Sequence, residues 1–222
     1  MSKTNDYIPA LNKDWLTPVY DPLIRLLMRE QTFKQRLVTL ANLQPGDHLL
    51  DLGCGTGTLT IMLQFSQPLA VITGLDGDER ILEIARKKAE QAGVNRISWQ
   101  EGFAFELPFP DSTFDLVVSS LMTHHLTLEN KRRTFREVHR VLKPGGRFFI
   151  ADFGAPHDAL MRMVSVVTMK LEHAEENLKG ELPLMLSEAG FPHVTEKDYF
   201  RTIFGPLSIY RGSSNGHESP GR

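Results

Sequence analysis

The stretch from His48 to Thr60, HLLDLGCGTGTLT, decides the fold of this chain. Leu49, Leu50 and Leu52 make a short apolar run around Asp51. Gly53, Gly55 and Gly57 follow at every second position, and Leu59, Ile61, Met62 and Leu63 continue a run that opens a helix. The order is buried strand, tight glycine turn, helix. Glycines in such a turn permit positive φ and let a ligand lie against bare backbone. The start of the helix adds unpaired N–H groups at the same place.

Glycine spacing separates the candidate ligands. A dinucleotide fold uses G-x-G-x-x-G, with a pyrophosphate on the helix N-terminus. Here the third glycine comes one residue early, and the carboxylate of Asp51 would repel a pyrophosphate. A carboxylate at that place suits a ligand carrying an ammonium or another cation. The pattern D-x-G-x-G-x-G resembles motif I of the class I S-adenosylmethionine (AdoMet) methyltransferases.

The chain has 222 residues, enough for one α/β domain with a sizeable core. Hydrophobic residues make up 41% and charged residues 23%, ordinary values for a globular protein. A net charge of −2 argues against bulk attraction to nucleic acid or an anionic membrane. The single cysteine, Cys54, excludes an internal disulfide and fits a reducing, cytoplasmic setting. No Cys/His cluster has metal spacing, so no metal is expected. No apolar stretch is long enough to span a bilayer, and stable membrane insertion is not expected.

Working outward, residues 1–42 read as an N-terminal helical cap. Asp21-Pro22 starts one helix with Leu23, Leu26 and Leu27 on its face, and Thr32 caps a second with Phe33, Leu37, Leu40 and Ala41. Such a cap closes over a cleft or only covers the sheet; Trp15 and Tyr20 are the residues to watch. Gln44-Pro45-Gly46-Asp47 turns into the first strand. Residues 43–211 read as the main domain and 212–222 as a disordered tail.

Downstream, Ala70 to Leu75 is a second strand ending at Asp76. That acid lies about 20 residues past the glycine loop, where a carboxylate accepts both hydrogens of a ribose diol. Asp78 caps the next helix, whose buried stripe is Ile81, Leu82, Ala85, Ala89 and Ala92, and Gly93 stops it. Asn95 to Gln100 reads as strand three and Phe114 to Ser119 as strand four. His124 and His125 follow strand four at the mouth of the cleft, and one of them can serve as general base. Two adjacent side chains do not both face one point. In the next helix Phe135, Val138, Val141 and Leu142 face inward, with Lys131, Arg132, Arg133, Arg136 and Arg140 mainly outside. Lys143-Pro144-Gly145-Gly146 then turns into strand five, Arg147 to Asp152. Residues 153–178 read as a lid-like insertion; its apolar run Ala159 to Leu171 is a core helix, a lid over an apolar acceptor or a membrane-touching helix. Leu182, Met185, Leu186 and Ala189 make a further helix stripe. Val194 to Phe200 and Ile203 to Arg211 close the chain as two strands.

The alternation of strands and helices implies an α/β fold, a Rossmann-like sheet with helices on both faces. The resemblance to class I methyltransferases of the small-molecule type covers about residues 38–211, in DLGCGTG, Asp76, LPFPDSTFD and LKPGG. It implies seven strands, mostly parallel, with a C-terminal antiparallel hairpin. It also implies transfer of a methyl group from AdoMet to a small, partly apolar molecule, with release of S-adenosylhomocysteine. The cofactor residues it implies are Asp51, Gly53, Cys54, Gly55 and Gly57 at the methionine part, and Asp76 at the ribose. Gly77, Gly102, Phe103 and Ala104 would flank adenine, and Ser119 and Ser120 the methionyl end. Two positions depart from the family pattern. Phe103 stands where an acid is usual, and Gly77 where an apolar side chain is usual. Either Phe103 packs on the purine in the space Gly77 leaves, or it turns into the core. A dehydrogenase is disfavoured by the glycine spacing. A nucleic-acid or protein methyltransferase is disfavoured by the mild acidity and by SSLMTHH after strand four. A non-catalytic AdoMet-binding scaffold stays open.

Overall fold

The computed structural model describes residues 30–171 and 174–214. Helix α1 (Glu30–Ala41) leads to strand β1 (His48–Leu52), and the glycine turn carries β1 into helix α2 (Thr58–Ser66). Strand β2 (Val71–Asp76), helix α3 (Glu79–Gln91) and strand β3 (Ser98–Glu101) follow. Then come strand β4 (Phe114–Ser120), a 3-10 turn at Thr123–His125, helix α4 (Leu128–Val141) and strand β5 (Leu142–Phe153). Helices α5 (Ala159–Leu171), α6 (Glu175–Leu178) and α7 (Leu182–Glu188) precede the closing strands β6 (His193–Thr202) and β7 (Gly205–Ser213).

The seven strands form one sheet in the order β3-β2-β1-β4-β5-β7-β6. The first five run parallel, and β7 is antiparallel to both β5 and β6. This is the Rossmann-like α/β sheet with a closing antiparallel hairpin. Alternation along the strands sorts the core into two layers. Leu49, Ile72, Leu116, Val118, Phe149 and Ile209 pack with Phe33 and Leu37 of α1 and with Leu59 and Leu63 of α2. Leu50, Leu52, Leu75, Val117 and Ile150 point the other way, against Phe135 and Val138 of α4 and Leu182 and Leu186 of α7. Asp51 interrupts the first layer beside Leu49, where β1 faces the start of α2.

Strand order reverses between β1 and β4. In open parallel sheets ligands bind at such a point, outside the carboxyl ends of the strands. Ser119 holds this border closed within the sheet: its hydroxyl donates to the Leu52 carbonyl at 2.9 Å.

Several boundaries and faces differ from the sequence reading. The described helix α1 already includes Glu30, so Thr32 lies inside it. Asp21-Pro22, Trp15 and Tyr20 lie outside the described residues. Strand three begins at Ser98, the first residue in register with β2. Strand β5 begins at Leu142, paired with Phe114 before an irregularity, so the KPGG turn is an interruption of the strand. Gly212 and Ser213 belong to β7, and the Ser214 hydroxyl donates to the Lys143 carbonyl, so the tail expected from 212 starts too early. Lys131 is the clearest correction. It is fully buried, 2.7 Å from Glu176 of α6, because a partner 45 residues away takes its charge out of solvent. Arg140 too is held, by Glu137, Asp111 and the carbonyls of Leu107 and Phe109.

Candidate functional site

The glycine loop sits where the topology puts a ligand. Gly53, Gly55 and Gly57 all adopt positive φ (69°, 53° and 73°), a conformation that side chains rarely tolerate. Their surroundings differ. A Cβ on Gly53 would fall 2.3 Å from Met122 Cγ, and one on Gly57 would fall 2.7 Å from the Trp99 ring. A Cβ on Gly55 would meet nothing within 4 Å, so the loop opens at its middle glycine. The Trp99 indole also lies against Gly74 of β2 and braces the loop from behind. The Gly53 and Cys54 N–H groups both donate to the Leu75 carbonyl, at 2.8 and 2.9 Å, which pins the loop to β2.

Two carboxylates flank this opening. Asp51 is buried, and its Oδ2 accepts from the Thr60 hydroxyl at 2.7 Å. Its other oxygen, Oδ1, is buried and has no hydrogen-bond partner. Burial pushes the Asp51 carboxyl up to about 6; Thr60 and the Lys34 charge pull down, and Asp76 pushes up. Asp76, half-buried, accepts the Gly55 N–H at 2.9 Å and the Asp78 N–H at 3.1 Å. Its pKa is raised, first by burial and further by the charge of Asp78, with the two N–H groups acting the other way. Cys54 is buried near these acids. Burial, then Asp51 and Asp76, push its thiol far up, so it stays an unreactive thiol.

The adenine-side residues lie at the ends of β2 and β3. The Gly102 N–H donates to the Asp76 carbonyl at 3.0 Å, and Ala104 is buried in the core layer of α4. Gly77 is half-buried between Asp76 and Asp78. Phe103 does not turn into the core: it is 43% exposed and stacks on Phe105 at 5.3 Å between centroids. The Ser119 hydroxyl is committed to β1, whereas Ser120 is half-buried at the strand end.

A second polar group stands across the cleft mouth, at the ends of β4 and β5. Asp152 is fully buried, and both its oxygens are occupied. Oδ1 accepts from the Phe153 N–H at 2.8 Å and lies 2.8 Å from His124 Nδ1; Oδ2 accepts the N–H and hydroxyl of Thr123, at 2.8 and 2.7 Å. Burial pushes this carboxyl up, but His124, Thr123 and the Phe153 N–H more than reverse that and hold it well below the usual range. An ionised Asp152 only accepts, so His124 Nδ1 carries a hydrogen and Nε2 is the end left for chemistry. His124 is buried against Phe153, while the exposed His125 ring lies 4.0 Å from the His124 ring. The two histidines therefore have different surroundings, and His124 is held by the Asp152 carboxylate. Leu121, just before this turn, adopts φ 51°, unusual for leucine, and its N–H bonds the Ala151 carbonyl.

Sequence reasoning missed four participants. Thr60 has a signal, being a hydroxyl in the first turn of α2 beneath the Asp51 carboxylate. Trp99 has one in the facing glycines. Lys34 and Asn177 have none, since the groups they act on at the site, Asp51 and Thr123, are distant in sequence. Among the described residues no cluster of His, Cys, Asp and Glu could hold a metal ion. None of their helices is long and apolar enough to cross a membrane.

Comparison with known proteins gives the family. Residues 49–146 match the methyltransferase domain family. The chain is 36% identical to a demethylmenaquinone methyltransferase of Symbiobacterium thermophilum, over 90% of each protein. It is 34% identical to an uncharacterized methyltransferase of a Synechocystis species, over 84% of each. Its fold is similar to the crystal structure of the YcgJ protein of Bacillus subtilis, with TM-score 0.68 and 20% identity over 84% of this chain and all of that one. With the glycine loop, the two flanking acids and the sheet order in place, the chain belongs to the class I AdoMet-dependent methyltransferases.

Proposed function

We propose that the protein binds AdoMet across the glycine loop and methylates a small, partly apolar molecule. The reading is carried by the buried oxygen of Asp51. Asp51 Oδ1 lacks a donor, a costly state for a buried carboxylate, and the loop beside it opens at Gly55. A ligand with an ammonium group beside an adenosine fits both features. Asp51 would hold the ammonium and Asp76 the ribose hydroxyls, with the Gly102–Ala104 turn at the adenine. When bound, AdoMet supplies a methyl group on a positively charged sulfur and leaves as S-adenosylhomocysteine.

The chain's own task is to align the acceptor, exclude water and accept a proton where the acceptor must lose one. His124 fits the last role through Nε2, because Asp152 fixes the opposite nitrogen and stabilises the charged ring. We place residues 153–178 over the acceptor side as a lid. In support, Glu176 and Asn177 of α6 bond Lys131 and Thr123 at the cleft mouth. The relatives named demethylmenaquinone methyltransferases make a hydroxylated naphthoquinol the first acceptor to try. The single buried cysteine suits a reducing, cytoplasmic setting.

Calorimetry with AdoMet, S-adenosylhomocysteine and NAD tests the cofactor. Binding of NAD without AdoMet overturns the reading. Anaerobic incubation with labelled AdoMet, first on demethylmenaquinol and then on a metabolite extract, with mass identification of the product, tests the acceptor. Tight AdoMet binding with no labelled product from either favours the scaffold.

Phe103 gives a narrower test. Its partial exposure beside Gly102 supports packing on the purine. Phe103→Ala is expected to weaken AdoMet binding about tenfold, the usual scale for one base–aromatic stack. Unchanged affinity removes Phe103 from the adenine site.

A further inference from the structure

Thr123, Asp152 and Asn177 form one hydrogen-bonded chain, and it fixes which way round the Asn177 amide lies. The Thr123 hydroxyl donates to Asp152, so its hydrogen is committed and its oxygen can only accept. It accepts from Asn177 across 3.3 Å, which requires the amide nitrogen, not the oxygen, to face it. The amide oxygen Oδ1 is thereby directed elsewhere. Asn177 is wholly buried, and Oδ1 has no hydrogen-bond partner. A buried amide oxygen rarely stays so without cost.

The place of Asn177 in the fold says which ligand lies near it. Thr123 and Asp152 stand at the carboxyl ends of β4 and β5, beside the point where strand order reverses. The glycine loop stands on β1, across that point. Asn177 therefore belongs to the acceptor side of the crevice, on the same network as His124.

We propose that Asn177 Oδ1 receives the hydroxyl hydrogen of the methyl acceptor, and so selects an acceptor that carries a free O–H. The inference rests on the methyltransferase reading above and assigns a residue to the acceptor's hydroxyl. Asn177 is then a substrate-binding residue. It orients the acceptor ring and draws electron density toward the carbon or oxygen that takes the methyl group. Because the oxygen is covered in the ligand-free protein, the acceptor reaches it only when α6 shifts.

The test uses the full chain saturated with S-adenosylhomocysteine, under anaerobic conditions. Two probes sharing one prenylated ring system are titrated: 2-prenyl-1,4-naphthohydroquinone and its dimethyl ether, which has no O–H. The wild type is expected to bind the hydroquinone about tenfold tighter than the ether, the scale of one buried hydrogen bond. Asn177→Leu removes that preference and leaves the affinity for S-adenosylhomocysteine unchanged. Asn177→Ser, too short to reach, gives the same result if leucine is not accommodated. Asn177→Asp restores the preference, since beside Asp152 its carboxyl stays protonated and keeps both a donor and an acceptor. A preference that survives in Asn177→Leu or Asn177→Ser overturns the proposal. So does a wild type that binds both probes equally, or neither. Failure of the wild type to bind S-adenosylhomocysteine at all falls instead on the methyltransferase reading.

Discussion

AdoMet affinity is expected to rise about tenfold per pH unit on the acid side of Asp51's titration and to level off above it. The carboxyl of Asp51 titrates near a pH of about 6 because it is buried, with Asp76 adding like charge. A cationic ligand pairs with the ionised form. Below that point binding must first expel the proton, and each unit of pH lowers this cost. The ligand-free protein runs the other way. A folded-state pKa raised above the unfolded value means that Asp51 favours the fold at low pH, and this contribution is lost as pH rises through about 6. Asp51→Asn separates the two effects. The amide oxygen can still accept from Thr60, but the charge is gone. At neutral pH the variant should bind AdoMet about thirtyfold or more weakly, the scale of one charge-assisted hydrogen bond. Its affinity should no longer follow pH through the Asp51 window, and its melting temperature should rise. Calorimetry in two buffers of different ionisation heat reads the proton release directly. A wild type that binds AdoMet without proton uptake or release near that pH would remove the ammonium from Asp51.

Asp152→Ala should be the most destabilising single change near the cleft. It strips the acceptor from four groups: the Thr123 N–H and hydroxyl, His124 Nδ1 and the Phe153 N–H. Removing one side of a buried, hydrogen-bonded pair costs about 3–5 kcal/mol. For a chain of this size each kcal/mol moves the melting temperature by roughly 2–4 °C, so a fall of about 10 °C is expected. Turnover should fall further than stability does, because an unheld His124 loses its orientation. Asp152→Asn should fall between the two proteins. The pH sign is opposite to that of Asp51. The Asp152 carboxyl is held low, so its contribution is present at neutral pH and is lost only as the medium becomes strongly acid. Thermal unfolding followed by circular dichroism measures the shift. A melting temperature within about 2 °C of the wild type would mean that this network contributes little.

Local features of the chain were legible and distant ones were not. The glycine turn, the capping Asp78 and the leucine alternation of β1 each depend on residues a few positions apart. Asp76 was legible because a strand of ordinary length fixes how far it stands from the glycine loop. The burial of Lys131 was not, since an amphipathic pattern counts its own helix and cannot see Glu176. His124 and Asp152 were each noticed at a strand end, but not as a pair, being 28 residues apart. The bond of the Ser119 hydroxyl was illegible for a related reason. Which way a strand-end hydroxyl turns depends on the neighbouring strand, and here the Leu52 carbonyl was in reach. Asn177 carried no pattern of its own.

The acids around Cys54 have a chemical consequence of their own. A sulfonium methyl donor is an alkylating agent, and a sulfur anion is among the best nucleophiles a protein contains. The only cysteine of this chain lies in the loop that would cradle such a donor. Burial and two neighbouring negative charges deny it the anionic form. A loop holding that reagent would thereby be spared alkylation at its own sulfur.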